Sequence, residues 1–224
     1  MVGDAREVRR LADGRNRTQR GRDRRTPEDV ASWQRHRMLT AMVAAVAEKG
    51  YTNVAVADVV QRARVSRATF YEQFEDKTDC FVAAFHWCVD QFVEMLRERN
   101  PPGPPPRQRL HILLDTYLGE MAEFPEGARV CLVEMYAVGP QAALHRKQIQ
   151  LDFVEMLQEL HTDLAAAGEP VRPLDAFDFE ALVGAISSIA TNKIAAGEAA
   201  DLPNLVAPVE AFVLTHFGLD AARA

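Results

Sequence analysis

The sequence predicts an all-α protein, with an N-terminal three-helix helix-turn-helix unit and a larger C-terminal helical body. Three observations carry this. Every segment with apolar periodicity repeats at 3.6 residues and none alternates. Proline and glycine clusters, among them Pro101–Pro106, Gly139-Pro140 and Gly168 with Pro170, punctuate those segments. The 224 residues are 48% hydrophobic, ample for a buried core, and show no internal repeat.

Residues 1–25 are rich in Arg, Asp and Gly, hold nine arginines and lack apolar periodicity. They read as a disordered basic arm, either a solvated tail or a segment that reaches phosphates or a minor groove. Thr26-Pro27-Glu28-Asp29 then opens a first helix, with a capping hydroxyl, a proline in the first turn and acids at the positive end of the dipole. Leu39, Met42, Val43 and Val46 give it an apolar face, and Gly50 ends it. Val56, Val59, Val60 and Ala63 mark a second helix. Arg64-Val65-Ser66 is a turn, and Ser66 caps a third helix in which Phe70 and Phe74, four apart, share one face. A longer fourth helix begins at Glu75-Asp76-Lys77, buries Phe81, Val82, Phe85 and Val89, and stops at Asn100 before the proline run. Further helices are expected at about 107–123, 126–138, 141–167, 175–196 and 203–217. The domains are read as 1–25, 26–80 and 81–224.

Two short helices joined by a tight turn form the shape whose second member fits the DNA major groove. With Phe70 and Phe74 pointing inward, Ala68 and Glu72 point outward, Thr69 lies beside them, and Tyr71 and Gln73 flank them. Arg67 suits bidentate guanine recognition, Thr69 a base edge or thymine methyl, and Gln73 adenine. Ala68 permits close backbone approach. Tyr71 and Lys77 suit phosphates. Glu72 accepts from cytosine N4 or repels phosphate, and both readings stay open. Charge agrees with one end meeting phosphates. Residues 1–80 hold 16 Lys and Arg against 12 Asp and Glu, while the remaining 144 residues hold 10 against 20.

Residues 35–85 resemble the DNA-binding domain of the TetR family of transcriptional regulators. The resemblance rests on AAVAEKGY, on VADVVQRARVS and on RATFYEQFEDKTDCF. It implies that Ser66, Arg67, Ala68, Thr69, Tyr71, Gln73 and Lys77 occupy the family's DNA-contact positions. Three residues depart from the family pattern. Arg64 stands where glycine is frequent and is expected at positive φ. Ala55 replaces a capping Ser or Thr. Glu72 replaces a frequent basic residue.

In the body, the last two helices carry apolar stripes. Phe179, Leu182, Val183, Ile186 and Ile189 form one, and Leu205, Val209, Phe212 and Val213 belong to the other. The resemblance implies that these helices build a four-helix homodimer interface, so that two reading helices meet a palindrome. The middle helices offer Trp87, Cys88, Phe92, Tyr117, Met121, Cys131, Met135, Tyr136, Phe153 and Met156, side chains that suit a mostly apolar pocket. The resemblance implies an inducer cavity here, acting through two states. The acidic balance favours a neutral or cationic small-molecule ligand.

The function expected is therefore a ligand-released regulator of double-stranded DNA, the alternative being a helical ligand-binding or scaffold protein that never touches DNA. The chain lacks H-E-x-x-H, G-x-S-x-G, a P-loop and G-x-G-x-x-G, so no enzyme and no cofactor is expected. His86 and Asp90 are four apart but lack a third ligand at fixed spacing, so no metal site is expected. No apolar run reaches the roughly 18 residues of a membrane span, and the basic start lacks the apolar stretch of a secretory signal. Three cysteines without a C-x-x-C fit reduced thiols in the cytoplasm.

Overall fold

The computed structural model describes residues 26–100 and 103–220, except the side chains of residues 27, 140–146 and 148; the predicted basic arm 1–25 lies outside the described residues. The described residues form helices, three of them short 3-10 segments, and no strand. In chain order these are α1 (Pro27–Lys49), a 3-10 turn (Tyr51–Asn53), α2 (Val56–Ala63), α3 (Arg67–Gln73) and α4 (Lys77–Arg99). Then come α5 (Pro106–Glu123), α6 (Pro125–Leu132), a 3-10 segment (Glu134–Val138), α7 (Pro140–Ala166), α8 (Ala176–Ala195), a 3-10 segment (Ala199–Leu205) and α9 (Val206–His216).

Local chemistry sets the N-terminal boundaries. Thr26 and Asp29 form a reciprocal capping box, the Asp29 N–H donating to Thr26 Oγ1 at 3.1 Å and the Thr26 N–H to Asp29 Oδ2 at 2.8 Å. Gly50 closes α1 at φ 75°. Ala55 provides no side-chain cap for α2, but Asp58 reaches back to accept the Ala55 N–H at 2.8 Å. The Lys49 ammonium, 2.6 Å away, holds the Asp58 carboxyl below the usual carboxylate range with help from that N–H. Arg64 ends α2 in the left-handed region, at φ 53° and ψ 47°, where a side chain costs roughly 1 kcal/mol. Ser66 caps α3 by accepting the Thr69 N–H at 3.0 Å, and Asp76 caps α4 by accepting the Asp79 N–H at 2.9 Å.

Helix α4 starts beside the turn motif and ends in the body, so the division expected between residues 80 and 81 falls inside one continuous helix. Its Phe81 and Phe85 are fully buried and join the core under α1–α3 to that of the body. Two expected helices are shorter than their periodicity suggests. The helix expected over 126–138 is interrupted at Val133, after which Glu134 turns inward to tertiary partners and the chain continues as a 3-10 segment. The helix expected from 203 starts at Val206, because Pro203 has no N–H for an α-helical ladder and sits in 3-10 geometry instead.

The C-terminal stripes face the chain's own core. Phe179, Leu182, Val183, Ile186, Val209 and Val213 are buried within the single chain, and Leu205 is partly buried. Of the residues expected at an interface, Ile189 and Phe212 are exposed, at 40% and 46%. Each helix presents its strongest apolar stripe to its own core and leaves a weaker one outward. On α8 that outer stripe runs through Phe177, Ala181, Ser188 and Ile189, with Phe177 76% exposed.

His36, on α1, sits edge-on to Trp87 of α4 with ring centroids 5.0 Å apart, its Nε2 buried without a hydrogen-bond partner. Burial pushes its pKa below the ordinary 6.5, because the charged ring loses its water. The unfolded chain thus protonates first, and stability present above pH 6.5 falls as pH drops below it. Urea midpoints measured at pH 7.5 and 5.5 are expected to differ less for His36→Phe than for the unaltered protein. An equal difference would remove His36 as the source.

Candidate nucleic-acid interface and ligand cavity

The third helix is held from beneath and bare above. Phe70 and Phe74 are 0% and 2% exposed, with ring centroids 5.4 Å apart, and Val65 packs against the same core. Arg35 of α1 clamps the far end. Its guanidinium lies 4.4 Å from the Phe74 ring centroid and donates from Nη1 to the Gln73 carbonyl at 3.0 Å. That carbonyl is one of the orphan acceptors every helix leaves at its C-terminus. Arg35 went unrecognised in the sequence because no spacing links residues 35 and 73.

Above this support, Ser66, Arg67, Ala68, Tyr71 and Glu72 are exposed, and Thr69 and Gln73 are half-buried on the flanks. Tyr71 is 58% exposed and braced edge-on by Phe70, at 5.4 Å between centroids. Thr69 shares its hydroxyl with Ser66 at 2.9 Å. Lys77, expected to face phosphate, has an intramolecular partner in the chain. It is half-buried, donates from Nζ to the Tyr51 carbonyl at 3.0 Å and lies 4.3 Å over the Tyr51 ring.

Tyr51 joins the helix-turn-helix unit to the body. Besides holding Lys77, its hydroxyl pairs with Thr78 at 3.0 Å and its ring packs on Phe81 at 4.7 Å. Its N–H donates to Glu134 Oε2 at 2.9 Å. Glu134 is a buried carboxylate, paired on its other oxygen with Arg129 of α6 at 2.9 Å. A carboxylate taken out of water needs such partners. A Cβ at Gly50 would meet Glu134 Oε2 only at an ordinary 3.6 Å, so the position favours glycine through its φ of 75° and not for space.

Below the joint, α1, α4, α5, α6, α7 and α8 enclose a cavity of about 890 Å³. Seven of the ten expected pocket residues line it: Trp87, Cys88, Phe92, Tyr117, Met121, Cys131 and Phe153. Phe92, Tyr117 and Phe153 form a ring cluster with centroids 5.2–6.4 Å apart. The other three lie elsewhere. Met135 is sealed in the core, Tyr136 is 57% exposed on the surface, and Met156 borders a separate cleft with Arg97, Arg109 and Glu159. The break after α6 explains the first two, because residues beyond Val133 leave the helical register that would have aimed them inward. Not expected from the sequence is the acidic part of the lining, where Glu94 and Glu98 of α4 join Glu120 and Glu123 of α5 and Glu126 of α6. The four-residue spacing of Glu94 and Glu98 was the available signal. Arg99 is the one Lys or Arg among the described lining residues, and it is paired with Glu120. No described group of three or more His, Cys, Asp or Glu is placed to hold a metal, and no described helix is long and apolar enough to cross a membrane.

Residues 39–84 match the family model described as bacterial regulatory proteins, tetR family. The chain is 25% identical over 126 residues to the HTH-type transcriptional activator FasR of Mycolicibacterium smegmatis, covering 56% of each. It is 31% identical over 101 residues to the HTH-type transcriptional regulator CymR of Pseudomonas putida, covering 45% of this chain and 48% of CymR. The match thus spans about half the length of these relatives. The transcriptional regulator FadR of Bacillus subtilis, solved in complex with stearoyl-CoA, shares the fold at TM-score 0.72 and 21% identity, covering 81% of this chain and 98% of that one. The capped α2–turn–α3 unit on its phenylalanine support is a helix-turn-helix domain of the TetR family.

Proposed function

We propose that this protein is a DNA-binding transcriptional regulator that occupies a palindromic operator as a homodimer and leaves it when a small molecule fills the cavity. The observation that carries this reading is the exposure of Arg67, Ala68 and Tyr71 on a helix whose opposite face is locked by two buried phenylalanines. Arg67 reads a base edge, Ala68 lets the backbone approach, and Tyr71 and Ser66 meet phosphates. Thr69, Glu72 and Gln73 complete the contact face. Lys77 serves as a bracket on Tyr51 and acts on DNA through the position of α3. A paired copy meets the outer stripe of α8 and α9, where Phe177, Ile189 and Phe212 are exposed. Its work on DNA places the protein in the cytoplasm.

Binding to DNA from the region flanking its own gene is expected to weaken steeply with salt, as counterion release requires. Arg67→Ala is expected to cost about 1–3 kcal/mol on that DNA, with a much smaller loss on unrelated duplex. Absence of any salt-sensitive binding to either duplex would instead favour a helical ligand-binding or scaffold protein that does not touch DNA.

The cavity lining combines apolar side chains with five glutamates, which favours a neutral or cationic amphiphile over the CoA thioester bound to Bacillus subtilis FadR. Calorimetric titration with a long-chain alkyl trimethylammonium and a fatty acid of equal chain length is expected to favour the cation. Tighter binding of the fatty acid or of stearoyl-CoA would overturn this ligand class.

A further inference from the structure

The turn between α2 and α3 holds, in a strained backbone, a side chain that the fold does not use. Arg64 lies at φ 53° and ψ 47°, the one non-glycine residue at positive φ among the described residues. Backbone bonds alone build this turn. The Arg64 N–H donates to the Gln61 carbonyl at 3.2 Å, and the Val65 N–H to the Val60 carbonyl at 3.1 Å. Glycine closes such a helix end at least cost, because it has no Cβ to crowd the neighbouring carbonyl. The Arg64 side chain is exposed and makes no hydrogen bond, ion pair or ring contact among the described residues. Most cations around it are engaged. Of the seven Lys and Arg in residues 26–80, Arg35 bonds Gln73, Arg37 stacks on Trp33, Lys49 pairs with Asp58, Arg62 with Glu48, and Lys77 bonds Tyr51. Arg64 and Arg67 alone are left without a partner among the described residues, one in the turn and one at the first position of α3.

We propose that Arg64 is a further DNA-contact residue, which neutralises a backbone phosphate at the edge of the groove that α3 enters. In a helix-turn-helix the first helix crosses the sugar–phosphate backbone and the second reads the groove, so a residue in the turn between them meets phosphate rather than a base edge. A guanidinium suits that partner, with several N–H donors for two phosphate oxygens. Glycine would close the same turn without strain and bring no charge. A strained residue whose side chain has no partner within the protein marks a contact made outside it. Arg64 and Arg67 then act as a pair three residues apart, the first positioning the turn on the backbone and the second reading a base. This inference rests on the DNA-binding reading above and adds one contact to it.

The test measures, across a salt series, the affinity of the full chain for a duplex from the region flanking its own gene and for an unrelated duplex of equal length. Arg64→Gly is expected to bind both duplexes roughly five- to tenfold more weakly at about 0.1 M salt, and to flatten the slope of log K against log salt by about 1. Its melting temperature is expected to match or exceed that of the unaltered protein, because glycine relieves the left-handed backbone. Arg64→Lys is expected to recover most of the affinity and the full slope. Unchanged affinity and slope in Arg64→Gly would overturn the assignment and leave the DNA-binding reading standing. An affinity loss confined to the flanking duplex would place Arg64 on a base and overturn the phosphate contact. A loss accompanied by a lower melting temperature, and not recovered by lysine, would make Arg64 a structural residue. Failure of the unaltered protein to bind either duplex would overturn both readings together.

Discussion

Two phenylalanine rings, one helical turn apart, fix the orientation of the face that α3 turns outward. Helix α3 has seven residues, too short to be stable by its own hydrogen bonds. Its position comes from Phe70 and Phe74, which sit in the core shared by α1, α2 and α4, and from Ser66 and Arg35 at its two ends. Truncating a ring of that size in a core typically costs about 3–5 kcal/mol, more than the roughly 1–2 kcal/mol of one cap or one half-buried cation–π contact. The inward face thus decides where the outward face points. Arg67, Ala68 and Tyr71 are free to vary in chemistry without moving the helix.

The same core continues through α4 into the body, which gives the cavity a mechanical path to α3. Phe81 and Phe85 lie on the helix that also lines the cavity through Trp87, Cys88 and Phe92. Tyr51 is held by Lys77 of α4 on one side and by Glu134, just past α6, on the other. A shift of α4 against α6 changes both grips at once. Glu134 resists such a shift, because a buried carboxylate that loses the Tyr51 N–H keeps its desolvation cost without that compensation.

Much of this was legible in the sequence because it is local. The Thr26 box, the Gly50 stop, the left-handed Arg64, the Ser66 cap and the Phe70–Phe74 pair each depend on residues within about five positions of one another. The cavity was partly legible, since aromatic and sulfur side chains on the middle helices marked its interior. What was hidden is long-range. The clamp of Arg35 on Gln73, the engagement of Lys77 by Tyr51 and the buried Glu134 all join residues 26 to 83 apart in the chain. The α8 and α9 stripes were visible as apolar, but periodicity does not say whether such a stripe meets its own core or a second copy. The structure assigns most of it to the chain's own core.

Side-chain labelling by hydroxyl radicals, with and without promoter DNA, tests the placement of α3 most directly. Tyr71 and Tyr136 are 58% and 57% exposed in the free chain, one on the reading face and the other on the body. With DNA bound, the labelling rate of Tyr71 should fall severalfold while that of Tyr136 holds. Unchanged labelling of Tyr71 on a protein that is demonstrably bound would contradict the account.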